Sequence, residues 1–445
     1  MRSYRTILAW ILIIIISSLC LGGTPTEIPE TKVAPETTPP ITSQTTTTPA
    51  PTTTAPPTTP ASTTAPPTTV GITPPKSETP SEKEEVISNR LTVPERWKEG
   101  AFKSEHTLYL PEGFRISVFA SGLEGARFMA IDSRGDLYLS QTGEGKITVL
   151  PDRDEDGIAD EAITFAKGLN LPHGLAFYNE YLYVAETDGV VRLKDEDKDL
   201  EAEEIDEIIT GIPSGSGHFT RTIGFGPDDN IYLSVGSSCN ICEDDPRRAA
   251  ILQFNKDGKD EKIYASGLRN SVGFVWHPNT KEMWATDNGR DWLGDDLPPD
   301  EINIVKEERH YGWPYCYGKK IPDPEYKRED FCRTTEPSKV DLQAHSAPLG
   351  LRYYTGDQFP EEYKNNLFVA YHGSWNRKIP TGYKIVRIRF KDDEPIIEDF
   401  ATGWLVEEKK WGRPVDVIVA PDGGLFVSDD YAGAVYKITY EGLQD

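Results

Sequence analysis

Gly135-Asp136-Leu137-Tyr138-Leu139-Ser140 decides how this chain folds: a turn, then an apolar-aromatic core that ends on a small polar residue. The same phrase returns as Tyr181-Leu182-Tyr183-Val184-Ala185, Ile231-Tyr232-Leu233-Ser234, Glu282-Met283-Trp284-Ala285-Thr286, Leu367-Phe368-Val369-Ala370 and Leu425-Phe426-Val427-Ser428. Most copies lie about 45 to 60 residues apart, the range of a repeat whose unit is a small sheet. Such a unit cannot bury its own faces. Six of them stacked radially make a closed ring around a central funnel. The expected fold is therefore all-β, a six-bladed β-propeller.

A second phrase closes each segment, as in Ala120-Ser121-Gly122-Leu123, Ala166-Lys167-Gly168-Leu169 and Ala265-Ser266-Gly267-Leu268. Later in each unit runs an alternating strand, such as Lys146–Leu150, Lys384–Ile388 or Val435–Thr439. Period-two alternation, β-branched enrichment and Gly/Asp turns favour strands over helices. The segment Leu108–Phe119 is expected to join the last unit and close the ring, which removes free sheet edges. The long interval between the fourth and fifth phrases places large loop insertions at 290–345, where a rigid ring carries its binding surface.

Outside the repeats the 445-residue chain reads differently. Residues 1–23 carry two arginines and then an apolar run, the pattern of a secretory signal or an N-terminal membrane anchor. Cys20 lies in that run, so lipid modification is one reading open for it. Residues 24–94 are mostly Thr, Pro, Ser and Ala and have no apolar periodicity, so they read as a disordered linker or glycosylated stalk. The propeller is assigned to 95–445. These features imply an extracytoplasmic protein, secreted or held at the outer face of the membrane only through its N-terminal segment. The net charge of −25 excludes a nucleic-acid footprint, which needs a basic surface. Cys239-x-x-Cys242, and Cys316 with Cys332 around a polar loop, favour two local disulfides in an exported chain over a four-cysteine zinc site.

Between each closing phrase and the next strand sits a cation or an imidazole: Arg127, His173, His218 with Arg221, Arg269 with Asn270, His345, and Arg413. The chain has seven histidines, and three fall in this slot. Equivalent slots of a propeller face one end of the channel. Such a ring suits a small polyanion and acid–base chemistry. Asp152-x-Asp154-x-Asp156-Gly157-x-x-Asp160 has the alternating oxygens and central glycine of a calcium loop, without the twelfth-position glutamate of an EF-hand. Asp195, Asp197 and Asp199 read as a solvated face.

Gly267-Leu268-Arg269-Asn270-x-x-Gly273-Phe274, Asp300-Glu301-Ile302-Asn303, Tyr311-Gly312-Trp313-Pro314, and His218 followed by Gly226-Pro227-Asp228 together resemble the soluble quinoprotein glucose dehydrogenases and the related sorbosone or aldose dehydrogenases. The resemblance spans about residues 100–440. It implies pyrroloquinoline quinone and Ca²⁺ as cofactors, and oxidation of an aldose at C1 to a lactone. His218 would be the general base, and Arg269 would support charge on the quinone. Asn270, His372, Arg413 and Arg377 would complete the cofactor site, with His372 standing where the family has a lysine. Gly289 and Arg290 would bind the cofactor's calcium through their carbonyls; Glu301, Tyr311 and Asp323 would hold structural calcium. His173, His345 and Arg127 would face the substrate, and Trp292, Trp313 and Trp375 would wall the cleft. Val415 and Ser237 depart from the family's arginine and carboxylate. A calcium-dependent lactonase and a non-catalytic glycan-binding propeller are the competing readings. The electron acceptor is left unknown.

Overall fold

In the computed structural model, which describes residues 86–443, the six phrases are the second strands of six antiparallel sheets. Blade 1 runs through Ala126–Ile131, Leu137–Gln141, Lys146–Leu150 and Ile163–Lys167. Blade 2 follows at Leu175–Tyr178, Tyr181–Glu186, Gly189–Lys194 and Glu204–Thr210. Blade 3 spans Arg221–Phe225, Ile231–Val235, Ala250–Phe254 and Lys262–Ser266, with Arg309–His310 as a short parallel edge. Blade 4 comprises Phe274–Trp276, Met283–Asp287, Asp300–Val305 and Val340–Leu342, and blade 5 Pro348–Tyr353, Leu367–Tyr371, Lys384–Lys391 and Glu394–Ala401. Blade 6 takes Pro414–Val419, Leu425–Asp429 and Ala434–Tyr440, and its fourth strand is Phe114–Ser121. The first strands adjoin one another in a closed cycle around the axis.

The phrase is apolar on both faces because both faces are buried. Leu137 and Leu139 pack with Phe119 and Phe426 of blade 6. Tyr138, between them, points the other way, to Phe165, Leu175 and Val184. Each of the six blade-to-blade interfaces holds one such cluster. At about 1.5–3 kcal/mol for each fully buried Leu- or Phe-sized side chain, these layers hold the ring together. The hydroxyl that ends the phrase fastens the next blade. Ser140 Oγ donates to His173 O (2.7 Å), Thr286 Oγ1 to Leu349 O (2.9 Å) and Ser428 Oγ to Arg127 O (2.5 Å). On the axis, Phe128, Val272, Leu349 and Val415 form a small apolar cluster. Val415 is therefore core, which accounts for the missing arginine at that position.

The ring closes as expected, but only Phe114–Ser121 belongs to the last blade. Thr107–Pro111 pairs instead with Val86–Arg90 in a separate two-stranded sheet. That strand lies within the stretch read as linker, so ordered structure begins before residue 95. The signal or anchor at 1–23, Cys20 and nearly all of the stalk lie outside the described residues. Among the described residues no helix is long and apolar enough to cross a membrane. The 290–345 insertion contains a Cys316–Tyr317/Ile321–Pro322 hairpin and the helix Glu329–Thr334, joined by the Cys316–Cys332 disulfide. Cys239 and Cys242 form the second disulfide.

Candidate active site

Loops that leave the second strands and loops that lead into the first strands meet at one mouth of the channel and border a cavity of about 170 Å³. His218, Arg269, Asn270, Gly289, His345 and Trp375 are among its lining residues. His218 Nδ1 lies 3.0 Å from both the carbonyl and the hydroxyl oxygen of Ser237. A carbonyl only accepts, and Ser237 Oγ itself donates to Cys239 O at 2.7 Å. Nδ1 therefore carries the proton, and Nε2 keeps its lone pair with no partner among the described residues. Burial, reinforced by the Arg269 charge, pushes the His218 pKa down to about 3, so the ring is neutral. The backbone beneath is packed tightly. A Cβ on Gly236 would stand 2.5 Å from Asn270 Oδ1 and 2.6 Å from His218 Cβ, so only glycine fits there.

Arg269 is buried, and its guanidinium is held on every side. Nε donates to Asn240 O (3.0 Å), NH1 to the carbonyls of Asn288 and Gly289 (3.0 and 2.9 Å), and NH2 to Asn240 Oδ1 (3.0 Å), with Asp291 Oδ2 at 3.4 Å. His345 takes a left-handed backbone (φ 64°) at the cavity wall, its Nε2 2.8 Å from Gly294 O. Trp292 and Trp375, each 68 % exposed, meet edge-to-face at 5.3 Å at the rim. Trp313 is instead buried, its Nε1 donating to Asn240 O.

The remaining expected residues form a second, buried cluster beside the cavity. Asp430, which the sequence reading passed over, organises it. Its carboxylate accepts from Arg127 NH1 (2.7 Å) and lies 2.9 Å from His372 Nε2. Burial raises the Asp430 pKa, but His372 and Arg127 outweigh it and hold the group below the usual carboxylate range. Burial drives His372 down to about 4 despite Asp430. Arg127 also reaches His173 Nε2 at 3.3 Å. His173 is wholly buried against Phe128, so the expected substrate contact is blocked in this conformation. Arg413 donates to the carbonyls of His372 and Gly373 at 3.0 and 2.9 Å. His372 N in turn donates to Ala347 O, and Ala347 lines the cavity, so the two clusters are continuous.

Two other expected arginines serve structure. Arg377 does not line the cavity; it donates to the carbonyls of Asp295 and Ala344 and pairs with Asp296, which pins the insertion loop. Arg221 is buried and braces the carbonyls of His218, Thr220 and Pro213.

Behind Gly289 lies a small pocket of about 20 Å³, room for one ion or water. Asp287, Asn288, Glu301, Tyr311 and Asp323 are among its walls. Asp287 and Glu301 are both fully buried. Desolvation, then the Glu301 charge, raises the Asp287 pKa well above normal. Desolvation also pushes Glu301 up to about 7. Asn288 Oδ1 is buried without a partner. Arg269 and Arg290 also border the pocket, but the two buried carboxylates and the orphaned amide oxygen are oxygen donors that suit a hard cation. Three expected ligands sit differently. Asp323 makes a buried ion pair with the Arg290 side chain at 3.1 Å. The Tyr311 hydroxyl is spent on Ile304 O and Lys306 N. Gly289 O already accepts from Arg269.

In the acidic loop, Asp152, Asp154 and Asp156 do converge, within 4.8 Å of one another, but Asp160 is not in that group; its Oδ2 accepts from Arg153 N. Asp195, Asp197, Asp199 and Glu203 also come within 4.8 Å of one another and are mostly exposed, as a solvated acidic face is.

The profile of the TrAA12-like family matches residues 108–441. An uncharacterised protein of Borreliella burgdorferi is 33 % identical over 355 residues, covering 76 % of this chain and 92 % of that one. The pyrroloquinoline quinone-dependent pyranose dehydrogenase of Coprinopsis cinerea is 23 % identical over 413 residues, covering 76 % of this chain and 55 % of the enzyme, so this chain corresponds to about half of that relative. The structure of that enzyme's quinone domain in its holo form superposes with a TM-score of 0.64 at 22 % identity, covering 75 % of this chain and 97 % of the domain. The sequence match over nearly the whole ring, together with the shared propeller, places the chain in the TrAA12-like family.

Proposed function

We propose that this protein oxidises aldose sugars at C1 to lactones with pyrroloquinoline quinone as the electron acceptor in the site and Ca²⁺ beside it. The observation that carries the reading is the His218 tautomer: Nδ1–H is tied to Ser237, and Nε2 is left as a free base in a cavity shared with Arg269 and Asn270. The donor set fits the quinone and the ion. Arg269 and Asn270 line the cavity, Arg413 and Arg127 join the buried cluster around His372 beside it, and the pocket with Asp287 and Glu301 lies next to Gly289.

The quinone, when bound, supplies a two-electron acceptor for the hydride that leaves C1. His218 Nε2 takes the proton of the anomeric hydroxyl, so the C1–O bond becomes a carbonyl as the C1–H bond breaks. Arg269 is fixed by five hydrogen bonds before any ligand arrives, so its positive charge costs no reorganisation as negative charge develops nearby. The rim tryptophans offer apolar faces to a sugar ring.

The test is dye reduction by purified protein given quinone, Ca²⁺ and a panel of aldoses, with the product identified as lactone. Turnover that requires the quinone supports the reading. Lactone hydrolysis without quinone would establish the lactonase alternative, and binding of glycans with no turnover the non-catalytic one.

A further inference from the structure

We infer that Asn240, held at the tip of the Cys239–Cys242 disulfide loop, is a positioning residue that fixes Arg269 and, through the same loop, His218. This inference rests on the sugar-dehydrogenase reading above and adds to it a loop that the cofactor and substrate need not touch.

The loop reaches both groups at once. Asn240 grips the Arg269 guanidinium along one edge: its backbone oxygen accepts from Nε and its side-chain oxygen from NH2, each at 3.0 Å. This forked pattern matches the fixed geometry of guanidinium donors and leaves it one orientation. The same side-chain oxygen accepts from Asp291 N at 2.7 Å, and Nδ2 donates to Asp291 O at 3.2 Å, so the amide is itself pinned. Trp313 Nε1 donates to Asn240 O from the opposite side. One residue upstream, Cys239 O accepts from the Ser237 hydroxyl that orients His218. The disulfide between Cys239 and Cys242 closes the turn that carries all of these contacts. Asp244 fastens its base by accepting from Ser238 N and Oγ at 2.6 and 2.8 Å.

Losing the Asn240 side chain removes one of the two bonds on this edge of Arg269, the one to NH2, and unpins Asp291 N beside it, so the guanidinium charge moves relative to His218. The charged groups that face His218 are Arg269, Arg221 and Arg248, and only Arg269 is held by Asn240. A displacement of this kind near the reacting atoms costs about 10–100-fold in rate.

The experiment compares the quinone- and Ca²⁺-loaded parent with Asn240→Ala, Asn240→Asp and the Cys239→Ser/Cys242→Ser double variant. Asn240→Ala is expected to lower kcat by about 10–100-fold, to leave the sugar KM within about twofold, and to move the acid limb of kcat/KM to higher pH. Asn240→Asp keeps the accepting oxygen and is expected to recover most of the loss. The double variant should behave like Asn240→Ala. A kcat within about twofold of the parent in Asn240→Ala, or an unmoved acid limb, overturns the inference. If the parent itself shows no quinone-dependent oxidation, the proposed function fails. The inference is then read separately, from the NMR titration of His218 in the cofactor-free proteins. An upward shift in Asn240→Ala, repeated in the double variant, supports it; superimposable titrations overturn it. If Asn240→Ala does not fold, the double variant carries the same readouts.

Discussion

His218 Nδ1 lies 3.0 Å from both oxygens of Ser237, the residue that leads into the disulfide loop. That contact sets the tautomer of the only imidazole in the cavity whose outer nitrogen is left without a partner among the described residues.

The first prediction concerns pH. A histidine whose pKa is depressed to about 3 stays neutral through the range where a free imidazole protonates. The kcat/KM profile should show no acid limb near 6.5 and should fall only toward pH 4 and below. The sign for stability follows from the same shift. This group's contribution is complete above the unfolded value of 6.5 and is lost as pH falls toward 3. Ser237→Asp would place a carboxylate on Nδ1, raise the pKa and move the acid limb upward, which a pH–rate series would register.

Gly236→Ala is the second. A methyl group there collides with both Asn270 and His218. Activity should drop by about 10²-fold while the melting temperature shifts little, because the strain is local to the mouth. Steady-state kinetics alongside thermal denaturation tests this.

Third, ring closure depends on Asp416. Its carboxylate accepts from Met129 N across the blade 6–blade 1 interface at 3.0 Å. Asp416→Ala leaves a buried N–H unsatisfied and should cost about 1–3 kcal/mol in urea unfolding. Burial raises the Asp416 pKa to about 6. A raised carboxyl pKa contributes stability at low pH that is lost as pH rises through about 6, so the cost of the substitution should be larger at pH 5 than at pH 8.

Fourth, a chelator should lower the melting temperature and Ca²⁺ should restore it, since the ion offsets the Asp287–Glu301 repulsion. Glu301→Gln should blunt the response in both directions, as read by thermal denaturation at fixed Ca²⁺.

Much of the ring was legible because the phrase is buried on both faces and so announces itself six times. The hairpin of Val86–Arg90 with Thr107–Pro111 was hidden because it lies next to the Thr/Pro-rich stretch and repeats nothing. Of the slot before each first strand, His218, Arg269, Asn270 and His345 share one cavity, while Arg127, His173 and Arg413 lie beside it. The pattern did not reveal that Arg221 turns back onto the carbonyls of its own segment, His218, Thr220 and Pro213, since a repeat slot does not say which way a side chain turns. The residues passed over share with Ser237 a different slot, just after the phrase: Asp287 and Asn288 follow Thr286, and Asp430 follows Ser428, as Ser237 follows Ile231–Val235. Second strands end at the same mouth where first strands begin, so that position was a readable signal. Asn240 carries no such mark, and only the bond to Arg269 exposes it.

The most direct test of the whole account uses His218→Ala loaded with quinone and Ca²⁺. The substituted protein should titrate with quinone much as the parent does, yet leave the quinone oxidised when an aldose is added, where the parent reduces it. Reduction at the parent's rate in the absence of the His218 imidazole would contradict the account.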